Sequence, residues 1–384
     1  MPSMIDLDQN ATTPLDPEVF EAMRPYFLEG GNPESRHTLG RASRRGLDRA
    51  RDSVAALLNC DPSEVVFTSG GTEANNIALF GLAGIERGPG HLLTSPVEHP
   101  AVVEPIAHLK KLGYEVDTAT VDSEGLVDAA AMAERLRFDT RFATLMLANN
   151  EVGAIQPVAR LASLAAERGL PTHTDAVQAV GRIRVDFRRL GVATLAAAAH
   201  KFHGPSGVGL LLVRKGISLR ALTFGGAQQG GRRPGTPAVA LAVGLAVALE
   251  RSVAEADARR SRWVALRDRL EALLVSKLGR DGVFRNGPID ESARLPQTLS
   301  VAFPGLDGDS LLMGFDLAGV AASLGSACAG GATRPSPTLV AMGLPRHLLR
   351  SSVRFSLGAF TTEAEVEEAA QRVSAVVERI KSPH

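Results

Sequence analysis

The sequence has little of several things. Cysteine occurs only at Cys60 and Cys328 in 384 residues, too few for a disulfide framework in a chain this long. Aromatic residues make up 4%, which leaves little surface on which nucleic-acid bases could stack. Neither sign of charge is in excess. Lys plus Arg and Asp plus Glu are 42 each, so no global field favours nucleic acid or an anionic membrane. The longest apolar run, Pro237 to Leu249, is shorter than the ~20 residues of a bilayer-spanning helix. The opening MPSMIDLDQN has neither the basic region nor the apolar core of a signal peptide. His200 and His203 alone do not make a metal site. These absences predict a soluble, cytoplasmic protein with no use for nucleic acid, membrane or metal.

What is present suits a large core. Apolar residues are 45% and charged residues 22%, and the length suits a large domain plus a smaller one. From about residue 60 to 215, β-rich runs alternate with helical patterns. The strand candidates are VVFTS at 65–69, HLLTS at 91–95, ATLMLAN at 143–149, PTHTDAV at 171–177 and GVGLLLVR at 207–214. Segments such as NIALFGLAG and VARLASLAAERG lie between them with helical spacing. Such alternation predicts a mostly parallel sheet covered by helices, with ligands bound at the carboxyl ends of the strands. Thr236 and Pro237 read as a helix start, its pattern continuing to about Leu278. TEAEVEEAAQRVSAVVERIK reads as a closing amphipathic helix.

Three stretches could carry chemistry. TSGGTEANN at 68–76 follows a strand and opens a helix, where glycines and free N–H groups favour a phosphate. It could equally be an ordinary connection capped by Thr72. Lys201 in AAAAHKFHGPSGVG lies among small residues. A desolvated lysine there loses basicity and can condense with an aldehyde, although most lysines simply reach solvent. Asp175 closes an apolar strand, where a carboxylate needs a cation or several donors. It could cap the next helix or pair with a protonated pyridine nitrogen. A phosphate cradle, an aldehyde-binding lysine and a carboxylate for a pyridinium together suggest pyridoxal 5'-phosphate (PLP). A second question is why LGSACAGG, at 324–331, sets a cysteine among nearly side-chain-free residues, when a structural cysteine usually sits in an apolar element.

In their order along the chain, from LDQNATTPLDPEV to VRFSLGAFTTEAEVEEA, these stretches resemble the cysteine desulfurases, in the class V aminotransferase group of fold-type I PLP enzymes. The resemblance implies an α/β fold, with a large PLP-binding domain over residues 15–255 and a smaller α+β domain from 1–14 and 256–384. It implies that Gly71 and Thr72 hold the phosphate, with His200 beside it and Thr236 reaching the phosphate of a neighbouring subunit in a homodimer. His99 would stack on the pyridine ring and handle protons. Asn150 would contact ring substituents and substrate, Asp175 the ring nitrogen, and Gln178 the phenolic oxygen. Lys201 would carry PLP, Arg354 would bind the substrate carboxylate, and Cys328 would accept sulfur as a persulfide. L-cysteine would become L-alanine, and the small residues 329–332 would let the persulfide reach an acceptor protein such as an iron–sulfur cluster scaffold. Each residue also has an ordinary reading: a capping His99, a surface Gln178, an ion-paired Arg354, a helix-capping Thr236.

The sequence departs from the family pattern in three places. Ala198 stands where a phosphate-binding serine is usual, Gln229 where glutamate is common, and Leu324 where a small residue precedes the Gly-Ser-Ala-Cys core. Two rivals remain: a class V aminotransferase or lyase acting on another amino acid, and a non-catalytic scaffold of the same fold.

Overall fold

A short strand, Ile5–Asp6 (β1), precedes the central sheet in the computed structural model, which describes residues 3–324 and 335–382. The sheet is built from Val65–Thr68 (β2), His91–Thr94 (β3), Glu115–Thr118 (β4), Thr140–Thr144 (β5), Thr172–Asp175 (β6), Thr194–Ala198 (β7) and Gly209–Val213 (β8). Its spatial order is β2-β8-β7-β6-β5-β3-β4. β4, β3, β5, β6 and β7 pair in parallel, and β8 runs against both its neighbours. Every residue of β2, β3, β7 and β8 is buried, as expected of strands covered on both faces. The helices Gly71–Ala83, Pro100–Lys111 and Val158–Ala166 supply part of that cover.

Four details depart from the sequence reading. The regular strand expected at 143–149 ends at Thr144, although the chain stays beside β6, where the Leu145 and Leu147 N–H groups donate to the His173 and Asp175 carbonyls. The alanine-rich β7 and the polar edge strand β4 were not apparent from residue pattern. Thr236 caps nothing: the helix there is Val239–Ala254, with Ala238 at its N-cap position and no side-chain cap. The long pattern to Leu278 is two helices, since Glu255 breaks it and Ala256–Leu278 follows.

The rest of the chain builds a second layer. Phe284–Asn286 (β9), Thr298–Ala302 (β10) and Ser352–Ser356 (β12) form an antiparallel sheet of order β12-β10-β9, and β1 pairs in parallel with Val320–Ala321 (β11). Leu7, Trp263, Leu270, Phe303, Phe315, Phe355 and Val373 lie in one buried cluster, separate from the cluster that runs from Val19 to Leu249 and takes in Leu295. Each such side chain contributes about 1.5–3 kcal/mol by leaving water. The last helix, Glu363–Lys381, opens with a reciprocal cap. Thr362 Oγ1 accepts from the Glu365 N–H at 3.2 Å, and Glu365 Oε2 accepts from the Thr362 N–H at 2.7 Å. Leu324 has a packing reason: its Cδ2 would lie 2.8 Å from a Cβ at Gly308, and it packs against the second cluster. No helix among the described residues is long and apolar enough to cross a membrane.

Candidate active site

The site gathers where the parallel strands end. After β2, Gly71 opens the helix Gly71–Ala83 with Thr72 exposed in its first turn, and no side chain caps this helix. A Cβ on Gly71 would lie 2.6 Å from Val177 Cγ2, so only glycine leaves this backbone open to an anion. β6 ends at Asp175, held by Asn75 Nδ2 at 2.7 Å and by the Val177 N–H at 3.0 Å. β7 runs through Ala198 to His200 and Lys201. His99 is the N-cap of Pro100–Lys111, its Nδ1 accepting from the Ala101 N–H at 3.1 Å. That contact leaves Nε2 to carry the proton of the neutral ring. Desolvation lowers the His99 pKa, Asp175 opposes this and Lys201 adds to it.

A segment the sequence reading left without a role ties these parts together. Asn10 is 1% exposed, and its carbonyl accepts from Lys201 Nζ at 2.7 Å and Gln178 Nε2 at 2.9 Å. Asn10 Nδ2 donates to the Asn150 carbonyl at 3.2 Å and to Thr298 Oγ1 at 2.9 Å. Arg354, on β12, donates to the same Asn150 carbonyl at 2.9 Å and pairs with Asp8 at 2.6 Å. Gln178, Lys201, Asn150 and Arg354 are thereby brought to one place, and Asp175 lies near enough to act electrostatically on Lys201. His200 joins from the side through Nδ1, 3.1 Å from Thr12 Oγ1, and desolvation with two nearby cations pushes its pKa down to about 4.

Lys201 also donates to the Ala11 carbonyl at 2.7 Å. Burial, with Arg182 and Arg354 nearby, pushes its pKa down to about 7, so much of the amine is neutral and nucleophilic near neutral pH. Among the described residues, Gln178 Oε1 and Arg354 Nε are buried without a hydrogen-bond partner. A ligand that reached them would satisfy both atoms. Glu98, beside His99, is buried. Its Oε1 accepts from Ser95 Oγ at 2.7 Å and the Met146 N–H at 2.8 Å, while burial pushes its pKa up to about 7. The sequence reading missed Glu98, Asn10, Asn75, His173 and Arg182. The available signal was a polar residue set inside an apolar strand or turn, as in THTDAVQAVGR.

Thr236 is exposed at the end of an arm that is pinned back to β2 and the helix start after it. Arg233 bonds Glu73 at 3.0 Å, and Glu73 accepts the Ser69 N–H. Gln229 Oε1 accepts from the Phe67 N–H at 2.7 Å while its Nε2 donates to the Phe67 carbonyl at 2.8 Å. This amide completes the free edge of β2 as another strand would, and a glutamate could not make the second bond. The departure at Gln229 is therefore structural rather than a lost reacting group. Cys328 lies outside the described residues.

The sheet order, the open helix start after β2 and the lysine after β7 define an α/β enzyme of PLP fold type I. The chain belongs to the class-V aminotransferase family, whose model matches residues 5–368. It is 41% identical over 378 residues to "Cysteine desulfurase IscS" of Dictyoglomus turgidum, covering 98% of this chain and 95% of that protein. It is 38% identical to the protein of that name from Methanosarcina thermophila, covering 98% and 92%. Among solved structures, a "NifS-like protein" superposes with a TM-score of 0.89 at 34% identity, over 98% of this chain and 99% of that one. "SspA in complex with cysteine" superposes with a TM-score of 0.80 at 31% identity, over 93% and 99%.

Proposed function

We propose that this protein is a PLP-dependent cysteine desulfurase, which converts L-cysteine to L-alanine and passes the sulfur through Cys328 to an acceptor protein such as an iron–sulfur cluster scaffold. The observation that carries this is the half-buried Lys201 amine, held by the Asn10 and Ala11 carbonyls. Arg182 and Arg354 oppose its charge, Asp8 and Asp175 favour it, and burial tips the amine towards its neutral form. A neutral, desolvated lysine amine suits condensation with an aldehyde cofactor. The names of the relatives point to cysteine as that substrate.

The residues fit PLP. Gly71 and Thr72 would take the phosphate, with His200 beside it, and Thr236 would serve the phosphate of a second copy. Asp175 would meet the ring nitrogen, Gln178 the phenolic oxygen, and Asn150 the ring substituents and substrate. When bound, PLP supplies an aldehyde for Lys201 and a sink for the electron pair at the substrate Cα. The neutral Lys201 amine is suited to remove the Cα proton, and His99, with its proton on Nε2, to stack and to donate. Arg354 offers its unpaired Nε to the substrate carboxylate.

Cys328 attacks the substrate sulfur as a thiolate. An S–S bond forms, the C–S bond breaks, and its electron pair stays with carbon, which is protonated and leaves as alanine. The net change inserts one sulfur atom into the S–H bond of Cys328. No external oxidant is needed.

We take residues 15–255 as the cofactor-binding domain, with 1–14 and 256–384 as the smaller one. The two separate apolar clusters support this division. A homodimer suits the exposed Phe20, Phe27, Leu28 and Phe224, apolar surface of the kind that a second copy would cover. The experiment is release of alanine and sulfide from L-cysteine with reductant, by wild type and Lys201→Ala. Equal amounts of both products from wild type and none from the variant are expected. Product from Lys201→Ala, or alanine without sulfide, would contradict the reading.

A further inference from the structure

Arg182 is 5% exposed, and every acceptor of its guanidinium is neutral. Nε and Nη2 donate to the Lys201 carbonyl at 3.1 and 3.0 Å. Nη2 also donates to the Gln9 carbonyl at 2.7 Å, and Nη1 to Asn10 Oδ1. Other buried guanidiniums in this protein have carboxylates: Arg267 has Asp268 and Glu291, Arg259 has Glu255, and Arg354 has Asp8. A buried cation without a counterion is costly. This one also faces like charge, since Arg354 and Lys201 are its electrostatic neighbours.

The contacts close a ring of three residues. Lys201 Nζ donates to the Asn10 carbonyl, the Asn10 side chain accepts from Arg182, and Arg182 returns to the Lys201 carbonyl. Both ends of the lysine are thus tied to one asparagine, and the tie at the main-chain end is the guanidinium. We propose that Arg182 is a positioning residue for Lys201, fixing the lysine main chain against Gln9 and Asn10 while its unpaired charge favours the neutral, nucleophilic amine. The proposal rests on Lys201 being the cofactor lysine. It does not give Arg182 a contact with the cofactor.

Asp175 on β6 and Asp8 favour the charged form of the amine; Arg182 and Arg354 oppose it, with burial the largest contribution. His99 and His200 are neighbours whose own basicity is lowered, so neither adds a fixed charge near neutral pH. Removing Arg182 leaves one guanidinium against two carboxylates. Lysine at 182 would keep the charge but lose the planar fork.

The test uses the full chain freed of cofactor and exposed to PLP, with borohydride trapping the attached fraction, from about pH 6 to pH 10. Arg182→Gln is expected to capture PLP about tenfold more slowly at neutral pH, with its profile moved to higher pH. Arg182→Lys is expected to keep the wild-type midpoint but capture about tenfold more slowly throughout, having lost charge-assisted bonds. A wild-type midpoint in Arg182→Gln overturns the electrostatic role. A wild-type rate in Arg182→Lys overturns the positioning role, and decides it even if the glutamine variant does not fold. Absence of capture by wild type would instead remove the cofactor-lysine reading itself.

Discussion

Asn75 Nδ2 donates to Asp175 Oδ2 at 2.7 Å, and Asn75 Oδ1 lies 2.9 Å from His173 Nε2. Because the amide nitrogen is committed to a carboxylate, Oδ1 must accept, and His173 carries its proton on Nε2. Its Nδ1 then accepts from Thr194 Oγ1 at 2.8 Å. All four residues are buried, so the chain Thr194–His173–Asn75 fixes the direction in which Asp175 presents its carboxylate. Hydrogen-bonded chains of this kind rigidify a site when every member is satisfied.

Asn75→Ala is expected to free Asp175 and strand His173 Nε2. Loss of a bond to a charged group is worth about 1.5–3 kcal/mol, a roughly 10- to 100-fold weaker hold on PLP. Equilibrium dialysis of the cofactor checks this. A wild-type dissociation constant would show that the chain supports the core and not the cofactor.

Acid stability should report His173. Burial pushes its pKa from the ordinary 6.5 down to about 3, and that of His203 to about 4. The unfolded chain therefore binds more protons than the folded one between those values. Stability rises with pH across that window and is lost as pH falls below about 6.5. Thermal melts at decreasing pH should show the fall, and it should be shallower in His173→Gln. An equal slope in the two proteins would contradict this assignment.

Arg354→Ala is expected to raise KM for cysteine about 10- to 100-fold, the loss of a charge-assisted partner worth roughly 1.5–3 kcal/mol. Steady-state kinetics reads it directly. An unchanged KM would mean that the carboxylate is bound elsewhere.

Ala198→Ser restores a hydroxyl at the cradle: Ala198 Cβ lies 3.7 Å from where a Gly71 Cβ would sit. One added hydrogen bond is worth about 1 kcal/mol, so PLP should leave the variant roughly fivefold more slowly. Equal release rates would show that the hydroxyl has no useful partner.

Strands β2, β3 and β8 were legible because branched residues and leucines run together in them, and β6, with sequence THTD, from its two β-branched threonines. β7, with sequence TLAAA, was not, because its alanines owe their strand geometry to buried neighbours on both sides rather than to propensity. Residues 145–149 begin as a continuation of the strand, with Leu145 and Leu147 still bonded to β6, and only then turn to deliver Asn149 and Asn150. The site residues were legible as an ordered set belonging to a family. Asn10, Asn75, His173 and Arg182 were not, because their roles exist only across long separations, such as the 191 positions between Asn10 and Lys201. No local pattern carries that pairing.

The most direct test of the account is the mass of sulfur on the protein. Cys60 is buried, and burial with Glu64 and Asp61 nearby pushes its pKa up to about 12, so it is protonated and unreactive near neutral pH. Cys328 is the remaining thiol. After incubation with L-cysteine, mass spectrometry should find one added sulfur atom on wild type and on Cys60→Ala. Cys328→Ala should bind PLP, take up no sulfur and release no sulfide. Sulfide release by Cys328→Ala at the wild-type rate would contradict the assignment of Cys328 as the sulfur carrier.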